Sequence, residues 1–340
     1  MKKRATLADV AARAGLSMTA VSLVLNNRPG SRLSEEAAER IRAAAKELNY
    51  RPDPAARSLR IGKTRTIGFV SDDVTVTRYA SAMIRGALDV AEARDHTVLI
   101  AETGSNPKRV EKALRVMLDR RVDGVVFGLM GAKEIDVPPM PYEVPVVLLN
   151  ASSPAGLPSI LPAEREAGYR VATLLIEAGH RRIAMIGYSD ELRDRPRLSA
   201  TVGDRYAGIF AALDEAGIEL AARTEEKVWE PEEGYQAMCH ILDSGVRVTG
   251  LIALNDRLAF GAYQALAERG RRVPDDLSIA SFDDDVIASY LRPGLTTAQI
   301  PYEAMGRRAM ELVLGSEPPQ GRFLVPMPLI VRGSVSTVAD

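Results

Sequence analysis

Apolar residues recur at helical spacing over the first fifty residues, and strand-like and helix-like segments alternate beyond them. The first apolar residues with a helical period are Leu7, Val10, Ala11 and Ala14. Thr6 precedes this run and Asp9 follows three residues later, which resembles a capping box with Asp where Glu or Gln is commoner. Gly15 supplies a tight turn. The pattern predicts a first helix from Leu7 to Ala14.

Two further helices are predicted next. Ser17 is a good N-cap for a helix that runs to about Asn26. Its apolar stripe is Ala20, Val21, Val24 and Leu25. Ser34 caps a third helix, whose buried face we expect to be Ile41, Ala44, Ala45 and Leu48. Two short helices joined by about three residues, with glycine in the turn, are typical of a helix-turn-helix.

Met18 and Leu23 lie off the apolar stripe of the second helix, so we expect both side chains to be exposed. In a helix-turn-helix, apolar side chains at such positions can meet thymine methyl groups in the major groove. The alternative is that isolated exposed apolar residues are ordinary and carry no function. The helix-turn-helix pattern favours base reading.

The charge distribution supports a separate head. The net charge of −1 divides into +7 for residues 1–63, with 13 basic and 6 acidic residues, and −8 for the rest, with 31 basic and 39 acidic residues. A basic module joined to an acidic body is typical of polyanion binding, although a solvated charged face is the simpler explanation. Within this module, residues 53–62 combine an Asp-Pro helix start with a glycine stop. They predict either a short helix that forms on binding or a plain linker.

Residues after Lys63 predict an α/β body. Strand-like runs appear at residues 66–70, 97–101, 124–127, 144–149, 183–186, 250–254 and 277–282. Helical stretches are predicted near residues 79–94, 107–120, 164–178, 204–216, 231–243 and 257–269. Strands that alternate with helices indicate parallel sheets covered on both faces. The segment at 121–126 resembles the one at 247–252, so we interpret the body as two similar doubly wound lobes.

Polar residues concentrate at the predicted strand ends, where such folds bind ligands. These candidate residues are Asp72, Asn150, Asn255 and Asp283, together with Arg205 and Trp229 from the second series. Carboxylates, amides and an aromatic face suit a polyhydroxylated ligand, whose hydroxyl groups donate and accept. For each single residue, capping of the next helix is the alternative, and Asn255 directly precedes a predicted helix.

The head resembles that of the LacI/GalR family of bacterial transcriptional regulators. The matching segments are Thr6–Ala11, Leu16–Ser22 and Glu47–Pro52. The resemblance implies that Met18 and Thr19 read bases and that Ala56 and Leu59 enter the minor groove. Leu23 stands where many members carry an arginine that would read guanine, which leucine cannot do. The full set of DNA-contacting residues implied is Thr6, Ser17, Met18, Thr19, Ser22, Leu23, Asn26, Ala56 and Leu59.

The body is similar to the periplasmic-binding-protein-like effector domain of the same family. The matching segments are residues 179–184, 204–208, 255–262, 274–280 and 295–297. The resemblance implies that Arg205 and Asp283 hold effector hydroxyls or a carboxylate, that Asn255 forms a hydrogen bond and that Trp229 stacks. Asp72 and Asn150 are weaker correspondences. Residues 76–79 differ from the family's usual Asn-Pro-Phe-Phe.

The expected organisation follows. Residues 1–50 form a helix-turn-helix domain, 51–63 a hinge helix or linker, and 64–332 the effector-binding and dimerisation domain. Within that domain we assign about 64–162 and 294–324 to the first lobe, and 163–293 and 325–332 to the second. The expected function is a repressor that binds a palindromic operator as a homodimer, with a small effector, expected to be a carbohydrate, in the cleft. Without a leucine heptad near the C-terminus, nothing suggests a tetramer.

Other classes of protein are less consistent with the sequence. A transport-type solute-binding protein would share the two-lobed body, but the basic head and the lack of an apolar signal segment argue against it. An enzyme is not supported by any nucleophile–histidine–acid set or phosphate loop, so we expect no catalytic residues and no cofactor. One cysteine and three dispersed histidines give no metal-site spacing. We expect a cytoplasmic protein without a membrane partner.

Overall fold

A computed structural model describes residues 5–25, 33–50, 62–75, 78–140, 144–317 and 320–338. The chain separates into two compact units, Met1–Arg65 and Thr66–Asp340. Among the described residues, no single helix is long and apolar enough to cross a membrane. The first two helices pass that test of length and composition together, but only as a pair bent by 104°.

The first unit contains helices α1 (Leu7–Ala14), α2 (Met18–Leu25) and α3 (Glu35–Glu47). The predicted capping box is present: the Asp9 amide donates to Thr6 Oγ1 at 3.3 Å, and the Thr6 amide donates to Asp9 Oδ2 at 2.8 Å. Gly15 ends α1 at φ 68°, a left-handed backbone that glycine adopts without a Cβ clash. Apolar side chains of all three helices form one small core, including Val10, Val21, Val24 and Ile41.

The second unit contains two sheets within the described residues. The first has strand order β11-β5-β4-β3-β1-β2, with β1 Thr66–Ser71, β2 Thr97–Glu102, β3 Gly124–Glu134, β4 Val146–Ser152, β5 Ser159–Pro162 and β11 Arg322–Val325. The second has strand order β12-β10-β9-β8-β6-β7, with β6 Ile183–Tyr188, β7 Ala222–Glu225, β8 Gly250–Ala253, β9 Ser278–Asp283, β10 Thr296–Gln299 and β12 Leu329–Ile330. All neighbouring strands pair in parallel except β10 and β12, which are antiparallel.

Helices pack on these sheets as the alternating pattern predicts. They are α4 (Arg78–Ala93), α5 (Pro107–Asp119), α6 (Glu164–Glu177), α7 (Asp190–Asp194), α8 (Val202–Glu215), α9 (Pro231–Asp243), α10 (Asp256–Glu268), α11 (Val286–Tyr290) and α12 (Tyr302–Val313). The pair α6–α8 meets with almost no space between the backbones. A Cβ at Gly208 would lie 1.9 Å from the Arg165 carbonyl oxygen, and one at Gly168 would lie 2.2 Å from that of Arg205. The glycines therefore set how closely α6 and α8 approach each other.

The chain passes between the lobes three times: between β5 and α6, between β10 and α12, and between β11 and β12. The predicted return to the first lobe at residue 294 was wrong, because Thr296–Gln299 pairs with β9 in the second-lobe sheet. The return occurs after Gln299, and Tyr302, at the start of α12, packs in the first-lobe core. Strands β5, β7, β10, β11 and β12 and helices α7, α11 and α12 had no predicted counterpart. These strands have two to four residues, too few to show an alternating pattern.

Candidate functional site

Arg205, on the first turn of α8, is held by Glu164 on the first turn of α6. Arg205 Nε donates to Glu164 Oε2 at 2.7 Å, and Arg205 Nη2 donates to Glu164 Oε1 at 2.8 Å. Arg205 Nη1 donates to the Leu254 carbonyl, and Nη2 lies 3.5 Å from Asp283 Oδ1. The Arg205 and Glu164 side chains are both only 3% exposed. Glu164 was not among the predicted site residues.

Aromatic rings cover the faces of the same guanidinium. Arg205 Cζ lies 4.4 Å from the Phe282 ring centroid and 5.7 Å from that of Trp229. The Trp229 indole donates to the Gly187 carbonyl at 2.8 Å. A cation on an aromatic face is stabilised by the ring quadrupole, especially away from water. Other side chains of the protein therefore contact both the edge and the faces of the Arg205 guanidinium.

Asn255 is the N-cap of α10. Its Oδ1 accepts the Leu258 amide hydrogen at 2.8 Å, and its Nδ2 donates to the Trp229 carbonyl at 3.1 Å. The capping alternative considered for this residue is thus what the structure shows. Asn255 also fixes the backbone of Trp229, which places it in the same cluster as Arg205 and Asp283.

The two first-lobe candidates, Asp72 and Asn150, meet at Met130 instead. Asp72 Oδ1 accepts from the amides of Asp73 and Met130, both at 3.0 Å. Asn150 Nδ2 donates to the Leu129 carbonyl at 3.0 Å and to that of Met130 at 3.2 Å. Both side chains are buried. These hydrogen bonds connect β1, β3 and β4. Asp72 and Asn150 therefore form a cluster separate from that of Arg205 and Asp283.

Three consecutive aspartates, the last residue of β9 and the two that follow it, have different partners. Asp283 and Asp284 have φ values of 104° and 54°, in the left-handed region. Arg332 Nη2 donates to Asp284 Oδ1 at 2.7 Å. Tyr79, on α4 of the first lobe, donates its hydroxyl to Asp285 Oδ2 at 2.8 Å. This last bond joins the two lobes directly.

Further contacts join the lobes elsewhere. The Glu134 amide donates to the Pro196 carbonyl, and the Ala200 amide donates to the Ala132 carbonyl, both at 2.8 Å. Arg322 on β11 forms an ion pair with Asp204 on α8 at 3.1 Å. The structure therefore holds the two lobes in contact on more than one side.

A cavity of about 510 Å³ lies between the lobes beside Asp283. Its lining residues from both lobes include Tyr79, Asp283, Asp285, Gln299, Tyr302 and Glu303. The rings of Tyr79 and Tyr302 lie 5.1 Å apart. A larger cavity of about 640 Å³ has lining residues between Arg223 and His240, all from the second lobe. The interlobe cavity is the candidate binding site, because residues of both lobes converge there.

Burial changes the acid–base properties of this site. Burial raises the pKa of Asp283 to about 6. The Arg205 guanidinium lowers this pKa, whereas the Glu164 carboxylate raises it further. Burial also raises the pKa of Asp256 well above its usual value, and Asp283 adds to this. The Asp256 side chain is fully buried and accepts the Asp285 amide hydrogen at 2.7 Å. Although burial lowers the pKa of Arg205, the Glu164 carboxylate raises it above its ordinary value, so the guanidinium stays charged.

Sequence reasoning missed Glu164, Tyr79 and Tyr302. A buried ion pair between residues 41 positions apart has no local marker, and Glu164 looks like an ordinary first-turn carboxylate. Tyr79 falls in the segment that differs from the family pattern, which was the available signal. Within the described residues, no group of three or more His, Cys, Asp or Glu is arranged to hold a metal ion.

The candidate DNA-binding residues occupy the start of α1 and most of α2. Thr6 caps α1, and Ser17 Oγ accepts the Ala20 amide hydrogen at 3.2 Å. Met18 and Thr19 are exposed, Met18 by 53%. The expectation that Leu23 is exposed was wrong, because it is half-buried. It follows Ala20 by three residues and therefore lies beside the buried stripe. Asn26, Ala56 and Leu59 lie outside the described residues.

Comparison with known proteins agrees with both units. Residues 6–53 match the lacI family of bacterial regulatory proteins, and residues 172–335 match a periplasmic binding protein-like domain. The HTH-type transcriptional repressor PurR of Erwinia tasmaniensis is 35% identical over 91% of this chain and 89% of its own. The ribose operon repressor of Haemophilus influenzae is 32% identical over 91% of both chains.

Two solved structures are similar over nearly the whole chain. One is the lac repressor dimer bound to operator and the anti-inducer ONPF, with 26% identity, a TM-score of 0.77 and coverage of 98% of this chain and 100% of that one. The other is the transcriptional regulator CelR in complex with cellobiose, with 25% identity, a TM-score of 0.61 and the same coverage. A helical DNA-binding head followed by a two-lobed, periplasmic-binding-protein-like body is the architecture of a transcriptional regulator. The chain belongs to the lacI family of bacterial regulatory proteins, and its head is the DNA-binding part of a transcriptional repressor.

Proposed function

We propose that this repressor binds a palindromic operator as a homodimer and that a small effector in the interlobe cavity controls its affinity for DNA. The observation that carries this proposal is the interlobe cavity, where Asp283 and Asp285 of the second lobe meet Tyr79 and Tyr302 of the first. A ligand that contacts both lobes there would favour one relative arrangement of them. It can shift the lobe arrangement only as far as its affinities for the two arrangements differ.

A neutral sugar is the effector class that we favour. Asp283, Gln299 and the tyrosine hydroxyls can accept and donate to ligand hydroxyl pairs, and aromatic rings can pack on sugar C–H groups. Relatives named for ribose and crystallised with cellobiose are consistent with this choice. We propose no catalytic role for the cavity and place the protein in the cytoplasm, with its DNA.

DNA recognition is assigned to the start of α2. Met18 and Thr19 are exposed there, so their side chains are available to base edges while Ala20, Val21 and Val24 maintain the core. Thr6 and Ser17, at the ends of helices, would position the head on phosphates, and Ser22 and Leu23 would contact the groove from the side of α2. Asn26, Ala56 and Leu59 retain the roles implied by the family resemblance. Two copies are needed because one head reads one half-site.

The experiment has two arms. Selection of DNA sequences from a random pool should yield a palindrome bound at physiological salt, and loss of sequence preference would contradict the DNA role. A thermal-shift screen of sugars and nucleobases should identify a ligand that changes the affinity for the selected operator. Asp283→Ala should abolish the ligand response and retain DNA binding. Leu59→Ala should weaken operator binding and leave ligand binding unchanged.

A further inference from the structure

The charge lining the interlobe cavity limits the kind of ligand that it can hold. Of the described residues that line the cavity, four are acidic, Asp283, Asp284, Asp285 and Glu303, and one is basic, Arg307. Arg307 is itself paired with Asp89 at 2.9 Å and with Glu303 at 3.2 Å. Asp284 is likewise paired with Arg332 at 2.7 Å. Because the one basic residue among the described lining residues is already paired, the cavity wall offers an anion no free positive group.

Arg205 would be the obvious group to reverse this preference, but it is not presented to the cavity. Glu164 takes two of its nitrogens, Leu254 takes the third, and Phe282 covers one face. Bidentate pairing with a carboxylate is the same geometry by which arginine would hold a ligand carboxylate or phosphate. Glu164 therefore accepts from the same two Arg205 nitrogens that an anionic ligand would need.

The group left facing the cavity is Asp283. Its side chain is 19% exposed, whereas those of Arg205 and Glu164 are 3% exposed. A carboxylate accepts hydrogen bonds and repels anions, so a ligand at this point must offer O–H or N–H groups. Glu164 directly follows Ala163, where the chain crosses from the first lobe to the second. The Ala163 amide donates to the Val325 carbonyl of β11 at 2.9 Å.

We propose that Glu164 withholds Arg205 from ligand recognition and so restricts the effector to neutral or cationic molecules that donate hydrogen bonds, excluding sugar phosphates and sugar acids. This inference rests on the proposed function, because it concerns the ligand of the same cavity. Glu164 is a positioning residue that acts through Arg205 and Asp283. Loss of its carboxylate would leave the buried guanidinium short of an acceptor, with only the long contact from Nη2 to Asp283 Oδ1 at 3.5 Å remaining beside the Leu254 carbonyl. An anion could satisfy the freed donor.

The test uses the full-length protein and matched probes: D-glucose, D-glucosamine, D-gluconate, D-glucose 6-phosphate and inorganic phosphate. Thermal shift and calorimetry are measured for the wild type, for Glu164→Gln and for Glu166→Gln. The wild type should show no saturable response to the three anions at millimolar concentration. Glu164→Gln should bind at least one of them about tenfold more tightly or better than the wild type. Glu166→Gln removes an exposed acid from the same first turn of α6 without releasing Arg205 and should behave like the wild type.

Saturable anion binding by the wild type would overturn the inference, even if Glu164→Gln does not fold. A folded Glu164→Gln that remains indifferent to anions would overturn the role of Glu164, as would an equal gain in Glu166→Gln. An anionic hit in the effector screen would also contradict the inference. Failure of the proposed function has a different readout, since a ligand of any charge would then leave operator affinity unchanged.

Discussion

Glu164 and Arg205 face each other through two hydrogen bonds of 2.7 and 2.8 Å, with both side chains 3% exposed. A buried ion pair is costly to desolvate, and removal of one partner leaves an uncompensated charge. In this protein the pair also joins the first turns of α6 and α8, and Arg205 lies next to Asp283. The same contact thus sets helix packing and the electrostatics of the candidate effector site.

Asp283→Asn should alter the dependence of stability on pH. Because the folded-state pKa of Asp283 is raised from 3.8 to about 6, its protonated form favours folding; this contribution is complete below pH 4 and is lost as pH rises through 6. Asparagine remains neutral, so the variant should gain up to about 3 kcal/mol relative to wild type at pH 7.5 and nothing at pH 4. Urea unfolding at both pH values, followed through the single tryptophan Trp229, measures the difference.

Asp284→Asn is the matched control for this pH dependence. Asp284 is held by Arg332 at 2.7 Å and by Gln299 at 2.8 Å, so loss of its charge should destabilise the protein at pH 7.5. A gain in stability for Asp284→Asn, or a pH-independent effect of Asp283→Asn, would contradict our account of Asp283.

Tyr79→Phe should weaken the contact between the lobes. The substitution removes the hydroxyl that donates to Asp285 Oδ2 and leaves the ring in place against Tyr302. A lost hydrogen bond to a partly buried carboxylate should cost about 1–2 kcal/mol in the free energy of unfolding. In Tyr169→Phe, the lost bond joins two exposed second-lobe groups, Tyr169 and Glu215, and should cost about 0.5 kcal/mol or less. Equal losses of stability in the two variants would show that the bond from Tyr79 to Asp285 contributes no more than an exposed hydrogen bond.

Gly208→Ala should disrupt the packing of α6 against α8. The added Cβ would lie 1.9 Å from the Arg165 carbonyl oxygen, which belongs to the backbone and cannot move away alone. We expect a loss of about 3 kcal/mol in the free energy of unfolding. Gly203, on the same helix, has its nearest neighbour 3.5 Å from the position of a Cβ, so Gly203→Ala should be neutral or stabilising by up to about 1 kcal/mol. A tolerated Gly208→Ala would mean that the helices can separate without cost.

Met18→Ala should separate DNA recognition from the stability of the head. Met18 is 53% exposed, so its truncation should change the melting temperature little, while a lost base contact should weaken operator binding by about 1–3 kcal/mol. Val21, fully buried on the same helix, is the contrasting position. Val21→Ala should destabilise the head by about 2 kcal/mol and weaken specific and non-specific DNA binding alike. Unchanged operator preference in Met18→Ala would remove Met18 from the base-reading residues.

Much of the head and the order of most body elements followed from the sequence. The helix ends of the head depend on contacts between residues that are three positions apart or fewer. The structure confirms the predicted ends at Thr6 with Asp9, at Gly15 and at Ser17. Leu23 was misjudged because it lies one helical turn from Ala20 and therefore beside the buried stripe. The strands that escaped prediction are two to four residues long, and their pairing partners are distant in the chain.

The sequence by itself determined the helix caps, the helical and strand periods, the division of charge between head and body, and the gathering of polar residues at strand ends. Tertiary structure alone decided which residues meet those polar side chains. Arg205 meets Glu164 across 41 residues, and Tyr79 meets Asp285 across 206. Caps and periods arise from neighbours within one turn or strand, whereas these contacts exist only once two sheets and their helices have packed. Three of the four acidic lining residues are consecutive in the chain, but only the packed fold decides which of their carboxylates are paired and which face the cavity.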